Sequence, residues 1–159
     1  MTRPKIDRVA PAFELPSSTG RTIASWDFKA CQPLVLFFAH GDCAACRAFR
    51  QRLASELPRY QEHQAQLLAL VPASLDLCNR LASDLALPFP LLADDTGAVR
   101  ARFNVSKDCV ALFVLDRYGE PYGEWQAAEA AALPPTEELV SALRLPELEC
   151  PECGVPDWS

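Results

Sequence analysis

At 159 residues, half of them apolar and 23% charged, the chain has material for one compact domain with a sheet covered by helices, and too little for two. Acidic residues number 21 against 15 basic ones, a net charge of -6 spread along the chain, which excludes a nucleic-acid-binding patch and affinity for an anionic membrane. No run approaches the roughly 18 apolar residues of a membrane span, and the charged start at residues 1–8 lacks a leader pattern, so a cytoplasmic location is expected.

Residues 9–15 and 17–23 read as two short extended pieces around Gly20, a hairpin ahead of the main sheet. The run Leu34-Val35-Leu36-Phe37-Phe38-Ala39 reads as a buried strand. Beyond it, Cys46, Phe49, Leu53 and Leu57 recur at helical spacing, with Arg47, Arg50 and Arg52 between them, which predicts an amphipathic helix limited by Pro58. A second strand is expected at 67–71 and a helix at 75–85 with Leu77, Leu81 and Leu85 on one face; this alternation points to parallel crossovers.

Pro88-Phe89-Pro90 then leads through Asp94-Asp95-Thr96-Gly97 to a short helix near 98–103. The clearest hairpin joins 110–115 through Asp116-Arg117-Tyr118-Gly119 to a return at 121–125, which Pro121 marks as an edge strand. Thr136 as N-cap, with Glu137 and Glu138 behind it, starts a last helix that Pro146 ends. The expected organisation is one domain over 1–145 and a cysteine-containing tail over 146–159.

Seven cysteines, at 31, 43, 46, 78, 109, 150 and 153, cannot all pair within one chain. In a reducing compartment such a set means redox or metal chemistry plus some buried small hydrophobes, the role expected of Cys31, Cys78 and Cys109. Cys43-Ala44-Ala45-Cys46 stands where a buried strand becomes a helix, and the unpaired N–H groups and positive dipole end of that helix favour a thiolate. A thiol of pKa ~8.5 is about 3% ionised at neutral pH, and one lowered to ~7 about half ionised. Asp42 opposes that effect at Cys43, whereas Arg47 supports it at Cys46, so the sequence leaves open which thiol is the nucleophile. His40, three residues before Cys43, could accept a proton.

Cys150-Pro151-Glu152-Cys153 is a second C-x-x-C pair, either a redox relay to the first or, with it, half of a Cys₄ zinc site. The 103 residues between Cys46 and Cys150 far exceed the ~15–20 usual in compact zinc ribbons. Three classes therefore follow: a thiol oxidoreductase cycling Cys43 and Cys46, a redox-sensing or interaction module without turnover, and a zinc-stabilised structural protein.

The stretches "APAFELPSSTGRTIASWDF", "PLVLFFAHGDCAACRAFR", "LALPFPLLADDTGAVRARFNV" and "ALFVLDRYGE" resemble, in order, the redoxins of the alkyl hydroperoxide reductase/thiol-specific antioxidant family, the peroxiredoxin-like proteins. The resemblance spans residues 9–145 and implies an α/β, thioredoxin-like fold, a central mixed sheet flanked by helices, with the hairpin as an N-terminal extension. It implies a small hydroperoxide or disulfide substrate and an external dithiol reductant such as thioredoxin, requires no cofactor, and allows a homodimer. On the family's P-x-x-x-T-x-x-C pattern Cys46 takes the peroxidatic position, Cys43 that of the threonine and Ala39 that of the proline, while the supporting arginine falls at Val110. A thioredoxin-type alignment instead makes Cys43 the attacking thiol and Cys46 the resolving one. It puts Lys107-Asp108-Cys109-Val110 where a cis-proline would face them, so that Cys109 could face the active pair.

Overall fold

The computed structural model describes residues 9–40 and 43–148. Strand β1 (Glu14–Pro16) pairs antiparallel with β2 (Thr22–Ala24) around Gly20, whose φ of 87° supplies the left-handed turn residue. A 3-10 helix at Ser25–Phe28 follows. The main sheet holds β3 (Leu34–Phe38), β4 (Gln66–Val71), β5 (Leu91–Ala93), β6 (Val110–Leu115) and β7 (Pro121–Ala127) in the order β5-β4-β3-β6-β7. Pairings β3–β4 and β4–β5 are parallel; β3–β6 and β6–β7 are antiparallel. The sheet is mixed, and β7 lies at its edge as Pro121 predicts.

Helices α1 (Ala44–Ser55), α2 (Leu57–Gln61), α3 (Leu75–Leu85), α4 (Ala98–Arg102) and α5 (Thr136–Leu148) cover it. Strands β3 and β6 are buried at every position, since both sheet faces are covered and alternation has nothing polar to point at. On one face Val35, Phe37, Ala69 and Leu112 pack with Cys46, Phe49 and Leu53 of α1, Cys78 and Leu81 of α3, and Leu139 and Leu143 of α5. On the other, Leu36, Phe38, Leu70 and Phe113 pack with Phe13 and with Val99 and Phe103 around α4. The hairpin shields the β5 edge: Ser18 N–H donates to Leu91 O at 2.9 Å, and its hydroxyl accepts Leu91 N–H at 3.0 Å.

Several expectations are corrected. Pro58 does not close a helical region; it sits in the first turn of α2, where a missing N–H forfeits nothing. Pro146 does not end α5, which continues to Leu148, because a proline in a last turn removes one bond without redirecting the chain. Strand β5 was absent from the expected elements. Arg50 does not lie between the apolar positions of α1 but among them, fully buried one turn beyond Cys46. Cys31 is exposed, because it falls in the turn after the 3-10 helix, with its N–H on Phe28 O, before the chain enters the core. Cys78 is buried as expected, and burial, with Asp95 adding and Arg50 opposing, pushes its thiol up to about 11.

One side chain ties α4 into place. Buried Asp94 accepts Val99 N–H on Oδ1 at 3.1 Å and Arg100 N–H on Oδ2 at 2.9 Å, capping a helix too short to hold itself. Asp94→Ala should cost about 1–3 kcal/mol, since it leaves two buried donors unmet. Chemical denaturation of the two proteins measures it, and a loss below about 0.5 kcal/mol would show that the cap is dispensable.

Candidate active site

Strand β3 delivers its last residues to the C-terminal end of its parallel pair with β4, where Ala39 N–H still bonds Leu70 O at 2.9 Å. His40 follows, and α1 begins after Cys43. Cys43 is the N-cap: its backbone is extended (φ -92°, ψ 160°), its carbonyl accepts Arg47 N–H at 2.9 Å, and its sulfur accepts Cys46 N–H at 3.4 Å. A cysteine sulfur thus holds the place that serine or aspartate usually fills, at the positive end of the helix. Cys43 is exposed, whereas Cys46 turns inward and is fully buried in the α1 face of the core.

The two thiols move in opposite directions. At Cys43 burial is the largest single effect and pushes the pKa up, but the Cys46 N–H, hydrogen bonds with the Cys46 and His40 side chains and the His40 charge together outweigh it, so the pKa is lowered. At Cys46 burial dominates and raises the pKa. The His40 N–H bond to its sulfur, at 3.4 Å, and the Arg50 charge resist this, while the adjoining Cys43 adds to it. Arg50 supplies a positive charge at Cys46, and Arg100 also interacts with that thiol. Arg47, also on α1, is half-buried; Asp42 lies outside the described residues.

His40 is half-buried and its Nε2 lies 3.0 Å from Asp108 O. A carbonyl only accepts, so Nε2 carries a proton; Nδ1 holds a lone pair when the ring is neutral and is a second donor, toward the Cys43 sulfur, when the ring is charged. Cys109, half-buried, is the next residue along that loop, and no cis peptide occurs among the described residues. Val110, at the position of the family's arginine, is a core residue of β6.

Sequence reasoning missed Arg100. Only 4% exposed, it donates from one guanidinium nitrogen to Ala39 O at 2.8 Å and from another to Cys109 O. It therefore clamps the segment that carries His40 to the loop that holds the His40 ring. Burial lowers its pKa, against which Asp94 and the Cys46 and Cys109 thiols hold its charge. Nothing in Ala98-Val99-Arg100-Ala101-Arg102 separates it from its exposed neighbour Arg102. Arg50 had a signal, its four-residue distance from Cys46 on the face that also holds Phe49 and Leu53. Cys150 and Cys153 lie outside the described residues, and among those residues no helix is long and apolar enough to cross a membrane.

The AhpC/TSA family pattern matches residues 6–120. No curated protein matches the sequence. Among solved structures, peroxidoxin BcpB from Mycobacterium tuberculosis is similar at 21% identity over 91% of this chain and 97% of its own, with a TM-score of 0.77. Xanthomonas campestris peroxiredoxin Q is 19% identical over 87% of this chain and 98% of its own, also at 0.77. A yeast mitochondrial 1-Cys peroxiredoxin is 17% identical over 93% and 78%, at 0.78. These similarities carry the fold, and the family pattern covers most of the chain. The chain belongs to the AhpC/TSA family, as a peroxiredoxin-like redoxin and thiol-dependent enzyme on a thioredoxin-type α/β fold.

Proposed function

We propose that the protein is a thiol-dependent peroxidase of the dithiol type, with Cys43 the attacking thiolate and Cys46 the resolving thiol. The observation that supports this most is the division of labour at the head of α1, where an exposed thiol of lowered pKa adjoins a buried one of raised pKa. Cys43 sulfur attacks the outer oxygen of a small hydroperoxide, the O–O bond breaks, and an alcohol leaves with a sulfenic acid on Cys43. The Cys46 sulfur then displaces that oxygen as water, and a Cys43–Cys46 disulfide closes. An external dithiol of the thioredoxin type returns the two electrons. Residues 1–145 serve as the redoxin domain, and the tail at 146–159 carries Cys150 and Cys153 as a relay for those electrons. His40 and the Arg100 clamp hold the site, and Cys109 lies beside it.

A disulfide substrate is the second reading, favoured by the same exposed Cys43, which a bulky mixed disulfide could reach. The two separate when the reduced protein receives one equivalent of hydrogen peroxide or of a protein disulfide and the products are mapped by alkylation and mass spectrometry. Oxidation by peroxide well above the free-thiol rate, with the bond at 43–46, is expected. A peroxide rate no faster than a free thiol's, with rapid exchange on the disulfide, would move the substrate to the second class. Slow reaction with both would leave only a sensing role.

A further inference from the structure

The redox chemistry needs two sulfurs, but three soft donors converge at the head of α1. A ring nitrogen of His40 and the sulfurs of Cys43 and Cys46 lie within 4.8 Å of one another. The imidazole is set as a ligand imidazole is set in metal sites: its Nε2–H is committed to a backbone carbonyl, Asp108 O at 3.0 Å, which orients the ring and frees Nδ1. The sulfurs are set too. Cys43 accepts the Cys46 N–H and Cys46 accepts the His40 N–H, both at 3.4 Å, and such bonds favour thiolate over thiol.

We infer that the reduced protein binds one thiophilic divalent cation, Zn²⁺, through His40 Nδ1, Cys43 Sγ and Cys46 Sγ, with the fourth position open to water or an incoming ligand. A donor set of one nitrogen and two sulfurs, without a carboxylate, selects against Mg²⁺ and Ca²⁺. Tetrahedral zinc, with Zn–S ~2.3 Å and Zn–N ~2.0 Å, places its donors about 3.5–3.8 Å apart, so closure around the ion asks of each pair an approach of about 1.3 Å at most. Exposed Cys43 can supply it by rotation about its side chain. The neighbouring arginines do not forbid the ion. From the fully protonated pair Zn²⁺ displaces two thiol protons and the charge of the site is unchanged; where Cys43 is already ionised one proton leaves and the site gains a single unit of charge.

Three protein ligands and an open position make an exchangeable site, not one that holds the fold together. Metal and disulfide need the same two sulfurs, and each excludes the other. A hydroperoxide that oxidises the pair to a disulfide, and is itself reduced to alcohol and water, must release the ion. Occupancy therefore shields the thiols from oxidation while the ion stays. Binding does not require turnover, so it can fail while the peroxidase reading stands, and the reverse also holds.

The test is an anaerobic titration of the reduced, metal-stripped full chain with Co²⁺ and then Zn²⁺. One Co²⁺ per chain is expected, with thiolate-to-cobalt charge transfer and the visible bands of a tetrahedral ion, displaced by Zn²⁺. His40→Asn should weaken binding at least about tenfold, the Cys150→Ser/Cys153→Ser double variant should bind as before, and the disulfide form should take up none. Absence of the bands, equal affinity in His40→Asn, or loss of binding in the tail variant overturns the assignment, the last by moving the ion to the tail. If His40→Asn does not fold by circular dichroism, the His40 ring resonances of the wild type decide. They should shift on addition of Zn²⁺, and their failure to move overturns the site.

Discussion

Cys46→Ser is expected to trap the enzyme on its substrate. With the resolving thiol gone, a disulfide substrate stays bound to Cys43 as a mixed disulfide, and a hydroperoxide leaves a sulfenic acid there. Turnover falls to the background of free thiols in both cases, while Cys43→Ser never forms the adduct. The reason lies in the burial difference: Cys46 is fully buried and cannot meet a substrate of any size, whereas Cys43 is exposed at the helix start. Mass spectrometry of the trapped species checks this, and an adduct on Cys46 in the Cys43→Ser protein would reverse the assignment.

The pH profile carries the same asymmetry. Because the pKa of Cys43 is depressed below its ordinary 9.0, its thiolate survives to lower pH than a free cysteine's, and its alkylation in the reduced wild type should begin earlier as pH rises. The associated stability is present above the unfolded-state pKa and is lost as pH falls through the folded one. Cys46 is the opposite case. Its raised pKa means that the native state keeps the proton longer, so stability is lost as pH rises above the ordinary thiol value toward the folded one. Simultaneous alkylation of both thiols across the titration would contradict the division of roles.

Arg100→Met should be the most damaging substitution away from the cysteines. It removes a charged donor from Ala39 O and another from Cys109 O, and each such bond is worth about 1.5–3 kcal/mol. Relief from burying a guanidinium offsets part of this, so a net loss of about 2–4 kcal/mol is expected. For a chain of this size that lowers Tm by roughly 2–4 °C per kcal/mol. Reactivity should fall as well, because the clamp on Cys109 O fixes the loop whose neighbouring Asp108 carbonyl holds the His40 ring. Arg100→Lys keeps the charge but lacks the fork needed to reach both carbonyls, so it should restore little of either loss. A stability within about 0.5 kcal/mol of wild type in Arg100→Met would show that the two segments are held by something else.

Legibility in the sequence followed how much each segment decides for itself. Helix α3 and strands β3, β4 and β6 could be read directly, because their apolar patterns are long and their environments uniform on each face. Strand β5 could not. Its three residues have no period of their own, and they are extended because β4 offers a parallel edge at Ala69, Leu70 and Val71. The dithiol at a strand-to-helix junction was visible, since Cys43 and Cys46 and their setting are local. Its polarity was not, because burial of Cys46 depends on α1 packing against the sheet, and the weights of His40, Arg50 and Arg100 depend on segments that meet only in three dimensions. The position at which the resemblance puts the family's arginine holds Val110, and the buried cations come instead from Arg50 of α1 and from Arg100 of α4, whose backbone N–H Asp94 accepts.

In the proposed mechanism the attacking sulfur is also the sulfur that caps. Cys43 Sγ is the acceptor for the Cys46 N–H at the head of α1, so any chemistry that uses up its lone pairs or its charge withdraws a cap of about 0.5–2 kcal/mol from the helix. Each oxidation then works on the backbone as well as on the thiol. On the proposed chemistry the first turn of α1 should be held more tightly in the reduced protein than in the disulfide form, which amide hydrogen exchange at Cys46 N–H would read as faster exchange after oxidation.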